Sequence, residues 1–328
     1  MLKKLLLSGC VLLLLIVASV AIWMSLPVTS TTANLQVSQG SSLRSIVKRA
    51  RADGLAVPEL ATLFVLRWKG ANKVKAGVYE IKAGASAWEV IDTLLNGEPK
   101  LLAFRLAEGA RFEDIVRDLN TSRSLKNDLG QLSPPELNKL LGLPEQVSLE
   151  GQFFPDTYLV SPGSSAIGLL RIASDSMRKK LALAWQVRSP NVQLKTPAEA
   201  LILASIIEKE TGRDADRPLI SAVFHNRLRI GMRLQSDPTV IYGVGNSFDG
   251  DLRKVHLRTD TPYNTYTRAG LPPSPIALPS AASLMAAVQP ADSKALYFVA
   301  RGDGSSQFSE SLAEHNRAVE RFQLGKFK

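Results

Sequence analysis

Residues 196–212 read TPAEALILASIIEKETG and predict a helix that lies inside a core. Thr196 can cap the first turn, Pro197 suits the first helical position and Glu199 completes a capping box. The middle of the segment is apolar on nearly all sides, which is typical of a buried helix. Gly212 favours termination. The segment therefore brings acidic residues to the end of a buried helix.

Two glutamates stand at that end. Glu208 and Glu210 are two residues apart, so they point about 200° apart and do not form a cooperating pair. Glu210 shares a helical row with bulky groups such as Ile206; lost hydration and the negative helix end both raise the pKa of such a carboxyl. A raised pKa suits a general acid near neutral pH. Glu208 lies beside smaller residues such as Ala204 and is predicted to support the structure. The alternative is that both are solvated charges flanking Lys209.

Upstream, a repeated pattern predicts three strand–turn–helix units. Each copy has an aliphatic residue three positions before a glycine and apolar residues three, six and ten positions after it; the glycines are Gly40, Gly84 and Gly109. A strand, a tight glycine turn and an amphipathic helix account for this spacing. The first two copies resemble LysM-type modules, which bind N-acetylglucosamine-containing glycans; a generic unit without a ligand is the alternative. We expect a LysM-like module over 37–100 and a connecting strand–helix module over 101–148.

The N-terminus predicts a membrane anchor. An uncharged apolar run covers 5–26, and about 20 such residues span a bilayer as a helix. The lysines before it predict a cytoplasmic segment over 1–4, and the polar stretch 27–36 is interpreted as a linker. A signal peptide cleaved near 19–21 is the alternative. We expect a single-pass protein of the cell inner (plasma) membrane whose catalytic domain lies on the periplasmic side.

Composition narrows the partners. The 328 residues carry a formal net charge of +10, which favours nucleic acid, lipid headgroups or an acidic polymer. The basic residues are dispersed rather than interleaved with aromatic residues, which argues against nucleic acid. Three scattered histidines predict no metal site, and no cofactor motif is found. Cys10 is the single cysteine, so we expect no disulfide.

Several long motifs together resemble the YceG-like endolytic murein transglycosylase family. They occur in the family's order and cover roughly residues 35–325: LEGQFFPDTY (149–158), LASIIEKET (203–211), FHNRLRIGMRLQSDPTVIYG (224–243), TPYNTY (261–266) and GLPPSPI (270–276). The resemblance implies a catalytic domain over 149–325. Ser274 stands where the family usually has glycine, which matters only if that position needs a positive φ.

The resemblance implies a lyase that cleaves the glycosidic bond between N-acetylmuramic acid and N-acetylglucosamine. It selects Glu210, because the Glu-Thr pair is similar to the Glu-Ser of lysozyme-like lytic transglycosylases. Glu210 would protonate the glycosidic oxygen and then accept the proton of the muramic acid 6-hydroxyl, which leaves a 1,6-anhydro end. Ordinary glycosidases need two carboxyl groups, whereas a substrate that attacks itself needs one. Acting on nascent strands near the membrane, such an enzyme would terminate glycan elongation.

A sugar groove is predicted from amide, carboxylate and phenol groups in the same motifs: Gln235, Asp237, Tyr242, Asn264 and Tyr266. Each has a structural alternative. Asp237 could belong to a turn, the tyrosines could be core residues, and Asn264 could cap a loop. Glu150 and Asp156 are the fallback second carboxylates.

We therefore predict an α+β fold with one transmembrane helix, LysM-like modules and a mixed α+β catalytic domain that acts on peptidoglycan. Synthases of the penicillin-binding protein class are the expected protein partners. One rival is a non-catalytic peptidoglycan-binding scaffold for such synthases. The other is a hydrolytic muramidase that uses Glu210 together with Glu150 or Asp156.

Overall fold

The structure is a computed structural model that describes residues 2–70, 74–130 and 132–325. Within these ranges the chain forms a mixed α+β fold of helices and short two-stranded sheets. In chain order the elements are α1 (Leu2–Ser25), β1 (Ala33–Val37), α2 (Leu43–Ala52), α3 (Glu59–Trp68), β2 (Gly77–Ile81), α4 (Ala87–Asn96), β3 (Leu102–Arg105), α5 (Phe112–Thr121), β4 (Leu125–Lys126), α6 (Pro134–Leu141), β5 (Thr157–Val160), β6 (Ser164–Ser165), α7 (Ala166–Gln186), α8 (Pro197–Glu210), α9 (Arg217–Arg229), α10 (Asp237–Val244), a 3-10 turn (Gly245–Ser247), α11 (Lys254–Arg258), α12 (Ala281–Val288), β7 (Tyr297–Ala300), β8 (Ser306–Ser309) and α13 (Leu312–Phe322).

The chain packs as two compact units. Unit 1 contains residues up to 104, 122–127 and 158–166; unit 2 contains residues 105–121, 128–157 and 167 onwards. The predicted boundary between a connecting module and a catalytic domain, at 148/149, therefore falls inside unit 2. The physical reason is that helix α5 packs on the segment after it, where Phe112 stacks on Phe153 with ring centroids 5.5 Å apart.

All three predicted strand–turn–helix units are confirmed. They are β1–α2, β2–α4 and β3–α5, and the glycines between strand and helix have φ of +78°, +78° and +69°. Only glycine adopts such angles without a steric penalty. Strands β1 and β2 pair antiparallel with Leu35 opposite Tyr79, and both residues are buried in the core of unit 1. The segment interpreted as a linker, 27–36, thus contains most of strand β1.

Helix α1 carries the predicted anchor. Residues Leu7–Ser25 are long and apolar enough to cross a membrane. Most of this stretch is exposed, including Trp23, but Met24 in its last turn is 1% exposed and belongs to the core of unit 1 together with Val28. Of the predicted cytoplasmic segment 1–4, Met1 lies outside the described residues.

Helix α8 is the buried helix at the centre of unit 2, as predicted. Leu203, Ile206 and Ile207 are 0% exposed, and helices α9 and α12 pack against it. Burying such a side chain contributes about 1.5–3 kcal/mol. Thr196 caps the helix by accepting the Glu199 N–H at 3.2 Å. The Glu199 carboxylate accepts the N–H of residue 195 instead of completing the predicted box, and the helix ends at Glu210.

Candidate active site

Glu210 is the last residue of α8, and its carboxyl is held at the edge of the unit 2 core. The Ser236 hydroxyl donates a hydrogen bond to Glu210 Oε1 at 2.5 Å. Burial raises the pKa of Glu210 to about 7, and the charge of Asp237 adds to the rise. The bond from Ser236 and the charge of Arg227 act in the opposite direction. A carboxyl with a pKa near 7 holds and releases a proton at neutral pH, as a general acid and base must.

The groups around Glu210 come from three elements. Tyr266 donates its hydroxyl to Asp237 Oδ1 at 2.6 Å, at the start of α10. Burial and the two nearby carboxylates raise the pKa of Tyr266, so the phenol stays protonated at neutral pH. Arg227 of α9 is 6% exposed and donates to the carbonyls of Leu296 and Leu234 at 2.7 and 2.6 Å. The carboxyl therefore has one acidic and one basic neighbour, both fixed by hydrogen bonds.

A second carboxyl with a raised pKa lies elsewhere in unit 2. Burial raises the pKa of Glu150 to about 7. Its carboxylate accepts the Phe112 N–H at 2.9 Å and the Tyr242 hydroxyl at 3.2 Å. Tyr242 stands five residues after Asp237 in α10, about 7.5 Å along the helix axis. Helix α10 thus contributes one residue beside each of the two carboxyls.

The loop that carries Glu150 depends on the glycine after it. Gly151 has φ +76°, and a Cβ at this position would lie 2.5 Å from Cβ of Pro275. A side chain is therefore excluded both by backbone conformation and by contact. This close packing explains the glycine of the motif LEGQFFPDTY.

Glu208 faces a different element from Glu210, as their helical spacing predicts. Its Oε2 accepts hydrogen bonds from Ser280 N, Ser280 Oγ and Ser283 Oγ at 2.9, 2.5 and 2.7 Å. The guanidinium of Arg217 lies 3.7 Å from the other carboxylate oxygen, and both side chains are nearly buried. Glu208 therefore caps helix α12 and ties it to α8 and α9. The alternative of a solvated charge does not describe it.

Comparison with known proteins assigns the chain to a protein family. A family model described as the YceG-like family matches residues 35–321. The chain belongs to the YceG-like family. The resemblance seen in the motifs is thereby confirmed.

Three relatives of this YceG-like chain illustrate the similarity. An endolytic murein transglycosylase of Bacillus subtilis (strain 168) is 32% identical over 312 residues, covering 90% of this chain and 86% of the relative. A protein of the same name from Streptococcus pneumoniae (strain ATCC BAA-255 / R6) is 27% identical, and the match covers 86% of this chain and 57% of that protein. A crystal structure of a yceG-like protein from Listeria monocytogenes has a TM-score of 0.57 and 26% identity, covering 88% of this chain and 99% of that one.

Not all predicted groove residues of this YceG-like chain can reach a ligand. Asn264 is 0% exposed. Its Oδ1 accepts the Tyr266 N–H at 2.8 Å. Its Nδ2 donates at 2.7–3.2 Å to the carbonyls of His256, Leu257 and Thr259. The amide is fully used within the protein, so the placement corrects the prediction of a sugar contact and supports the alternative of a loop cap. Through Tyr266 it still positions the site.

Two other predicted residues are exposed. Gln235 has φ +47°, an unusual angle for a residue with a side chain, and it directly precedes the serine that bonds Glu210. Asp156 is also exposed, and its carboxylate accepts the N–H of the following residue. Gln235 thus adjoins in the chain the serine that bonds Glu210, whereas the Asp156 carboxylate is engaged by the residue that follows it.

Sequence reasoning missed Ser236 and Arg227. Ser236 lies between Gln235 and Asp237, both of which were predicted, so its position in the motif was a usable signal. The role of Arg227 depends on how α9 packs beside α8, which no local pattern reports.

Ser274, at the position where the family usually has glycine, has no positive φ; its hydroxyl lies 2.7 Å from that of Tyr263. Among the residues that the structure describes, no three His, Cys, Asp or Glu side chains group as a metal site would require.

Proposed function

We propose that this YceG-like chain is an endolytic murein transglycosylase, a lyase, and that Glu210 is both its acid and its base. The observation that carries the proposal is the carboxyl at the end of a buried helix, with a pKa raised to about 7 and a hydrogen bond from Ser236. The relatives that match most of the chain bear the name of this activity.

The reaction needs one carboxyl in two protonation states. Protonated Glu210 donates its proton to the glycosidic oxygen between N-acetylmuramic acid and N-acetylglucosamine, and the bond from that oxygen to C1 breaks. The 6-hydroxyl oxygen of the same muramic acid then bonds to C1, and ionised Glu210 accepts its proton. Glu210 is returned to its protonated form, the product carries a 1,6-anhydro ring, and no water is consumed. Ser236 and Arg227 stabilise the ionised intermediate form of the carboxylate, because a donor and a positive charge both favour it.

The sugar ring is held by the exposed groups beside Ser236. Asp237 and Gln235 are exposed and flank the serine that bonds the catalytic carboxyl. Tyr266 fixes the Asp237 carboxylate, which leaves that carboxylate oriented to accept sugar hydroxyls. Tyr242 donates its hydroxyl to Glu150. In this scheme it would contact a sugar further along α10 and not the ring beside Glu210.

The hydrolytic alternative would use Glu150 to activate water, and its raised pKa is the observation that favours it. A base for water must be ionised and open to solvent. Glu150 is 6% exposed and its carboxylate already accepts two hydrogen bonds. A structural role between α5 and α10 suits it better, and the geometry favours the lyase over the muramidase.

The N-terminal parts of the chain hold the enzyme at the membrane and at its glycan substrate. Helix α1 anchors the protein in the plasma membrane by a single pass, with the catalytic domain outside. The units β1–α2 and β2–α4 act as LysM-like modules on glycan. Cleavage of nascent strands next to the membrane terminates their elongation, in the company of penicillin-binding protein synthases.

The test uses purified peptidoglycan and full-length protein, followed by mass spectrometry of the released fragments. Anhydro-muramic ends are expected with the wild type and with Glu199→Gln, a matched change at the other end of α8. Glu210→Gln is expected to yield none, and Glu150→Gln is expected to retain cleavage. Cleavage by Glu210→Gln would refute the assignment of Glu210. If Glu150→Gln lost cleavage and the wild type produced reducing ends, the muramidase would be favoured instead.

A further inference from the structure

Helix α3 of unit 1 has two apolar faces instead of one. Thr62, Val65 and Leu66 form its buried face. On the opposite side Leu60, Phe64 and Trp68 follow each other at intervals of four residues and are 83%, 71% and 79% exposed. Residues at this spacing form one continuous stripe. A stripe of three large apolar side chains in water marks an interaction surface.

The position of α1 identifies what covers this stripe. The apolar stretch Leu7–Ser25 has 19 residues, which is about 28 Å of helix, close to the roughly 30 Å thickness of the hydrocarbon layer. Nearly the whole stretch is therefore needed to cross. Its end is packed in the core of unit 1 through Met24, and both α3 and α4 contact α1. The elements packed against Met24 must consequently reach the membrane surface.

The residue types around the stripe fit the headgroup region. Trp68 on α3 and Trp23 on α1 are both exposed, and tryptophan is enriched at membrane–water interfaces. Arg67 and Lys69 flank Trp68 and are exposed. Arg44 and Arg67 line a groove beside Leu60. Basic side chains next to inserted apolar groups attract anionic lipids.

We propose that α3 lies on the bilayer surface, with Leu60, Phe64 and Trp68 inserted between anionic lipids. This contact rests on the membrane anchoring by α1 proposed above and adds a second attachment point. Two attachments fix the orientation of unit 1 on the membrane, which a single helix does not.

The experiment places spin labels in the full-length protein, reconstituted in vesicles of phosphatidylethanolamine and phosphatidylglycerol. In a Cys10→Ala background, Phe64→Cys tests the stripe and Trp68→Cys repeats the test at a second position. Ile172→Cys is the matched control, since Ile172 is an apolar residue of unit 2 that is 60% exposed. Val17→Cys reports on the anchor. The measured quantity is the ratio of collisions with oxygen, which dissolves in lipid, to collisions with a water-soluble nickel chelate.

The ratio at positions 64 and 68 is expected to shift toward that of position 17 and away from that of position 172. Equal ratios at 64 and 172, with position 17 in lipid, would overturn the surface contact and leave the anchor intact. An immobile label at 64 with no shift toward lipid would assign the stripe to a second copy or another protein and would also overturn it. A water-exposed position 17 would overturn the anchor and this proposal together. None of these outcomes bears on cleavage by Glu210, which is assayed separately.

Discussion

The hydrogen bond from Ser236 to Glu210 sets the pH range in which the acid works. Ser236→Ala removes the hydroxyl that donates to Glu210 Oε1 at 2.5 Å. A hydrogen bond to a charged group contributes about 1.5–3 kcal/mol, and one pKa unit corresponds to about 1.4 kcal/mol. Because the bond favours the ionised carboxylate, its loss raises the pKa of Glu210 by about one to two units. The pKa would thus move from about 7 to between about 8 and 9.

The assay is the rate of formation of anhydro-ended fragments from purified glycan strands, measured as kcat/KM across pH. The protonated form of Glu210 starts the reaction, so kcat/KM falls as pH rises through the pKa. In Ser236→Ala this alkaline limb is expected to lie one to two pH units higher, and the plateau rate is expected to be lower because the ionised form is less stable.

The matched control is Ser174→Ala. Ser174 is 0% exposed, and its hydroxyl has no hydrogen-bond partner among the described residues. This change removes a buried serine hydroxyl from the same unit without touching Glu210, so the limb should stay in place. An unmoved limb in Ser236→Ala as well would show that Ser236 does not bond the reacting acid, and the reasoning would fail.

Three further variants test the parts of the site separately. Glu208→Ala leaves the N–H of Ser280 and the hydroxyls of Ser280 and Ser283 without their acceptor, and it removes one of the two carboxylates near buried Arg217, the other being that of Asp214. The free energy of unfolding in urea should therefore fall by about 3 kcal/mol, and a loss below about 1 kcal/mol would contradict the role of Glu208. Asn264→Ala leaves three carbonyls and one N–H without the partners that the side chain supplies, so a lower melting temperature and a destabilisation of about 2–3 kcal/mol are expected. An unchanged melting temperature would contradict the structural role of Asn264 as a loop cap. Glu210→Gln should stabilise the fold above pH 7 by up to about 3 kcal/mol, since the raised pKa makes the folded wild type lose stability as pH rises from 4.5 to about 7. That gain should vanish below pH 4.5, and a gain independent of pH would contradict the raised pKa.

The features that could be predicted from the sequence are those that depend on neighbouring residues in the chain. The span of α8 and the three strand–turn–helix units follow from apolar periodicity, capping residues and glycines with positive φ. The separation of Glu208 from Glu210 follows from helix geometry alone. These features need no knowledge of distant contacts.

Distant contacts explain what the sequence could not indicate. Asn264 has the same side chain whether it holds a sugar or a loop, and only its burial among three carbonyls decides between them. The serine partners of Glu208 stand more than 70 residues away along the chain. Helix α5 belongs to unit 2 because its first N–H bonds Glu150, 38 residues later. Such pairings arise from packing, which periodicity within one segment does not report.

The central claim is that one carboxyl, Glu210, cleaves the strand without water. The most direct test is digestion of purified peptidoglycan in ¹⁸O-labelled water by the full-length wild type and by Glu210→Gln, followed by mass spectrometry of the new ends. The wild type is expected to produce 1,6-anhydro-muramic ends that carry no ¹⁸O, and Glu210→Gln is expected to produce no new ends. Reducing ends that carry ¹⁸O, or anhydro ends formed by Glu210→Gln, would contradict the account.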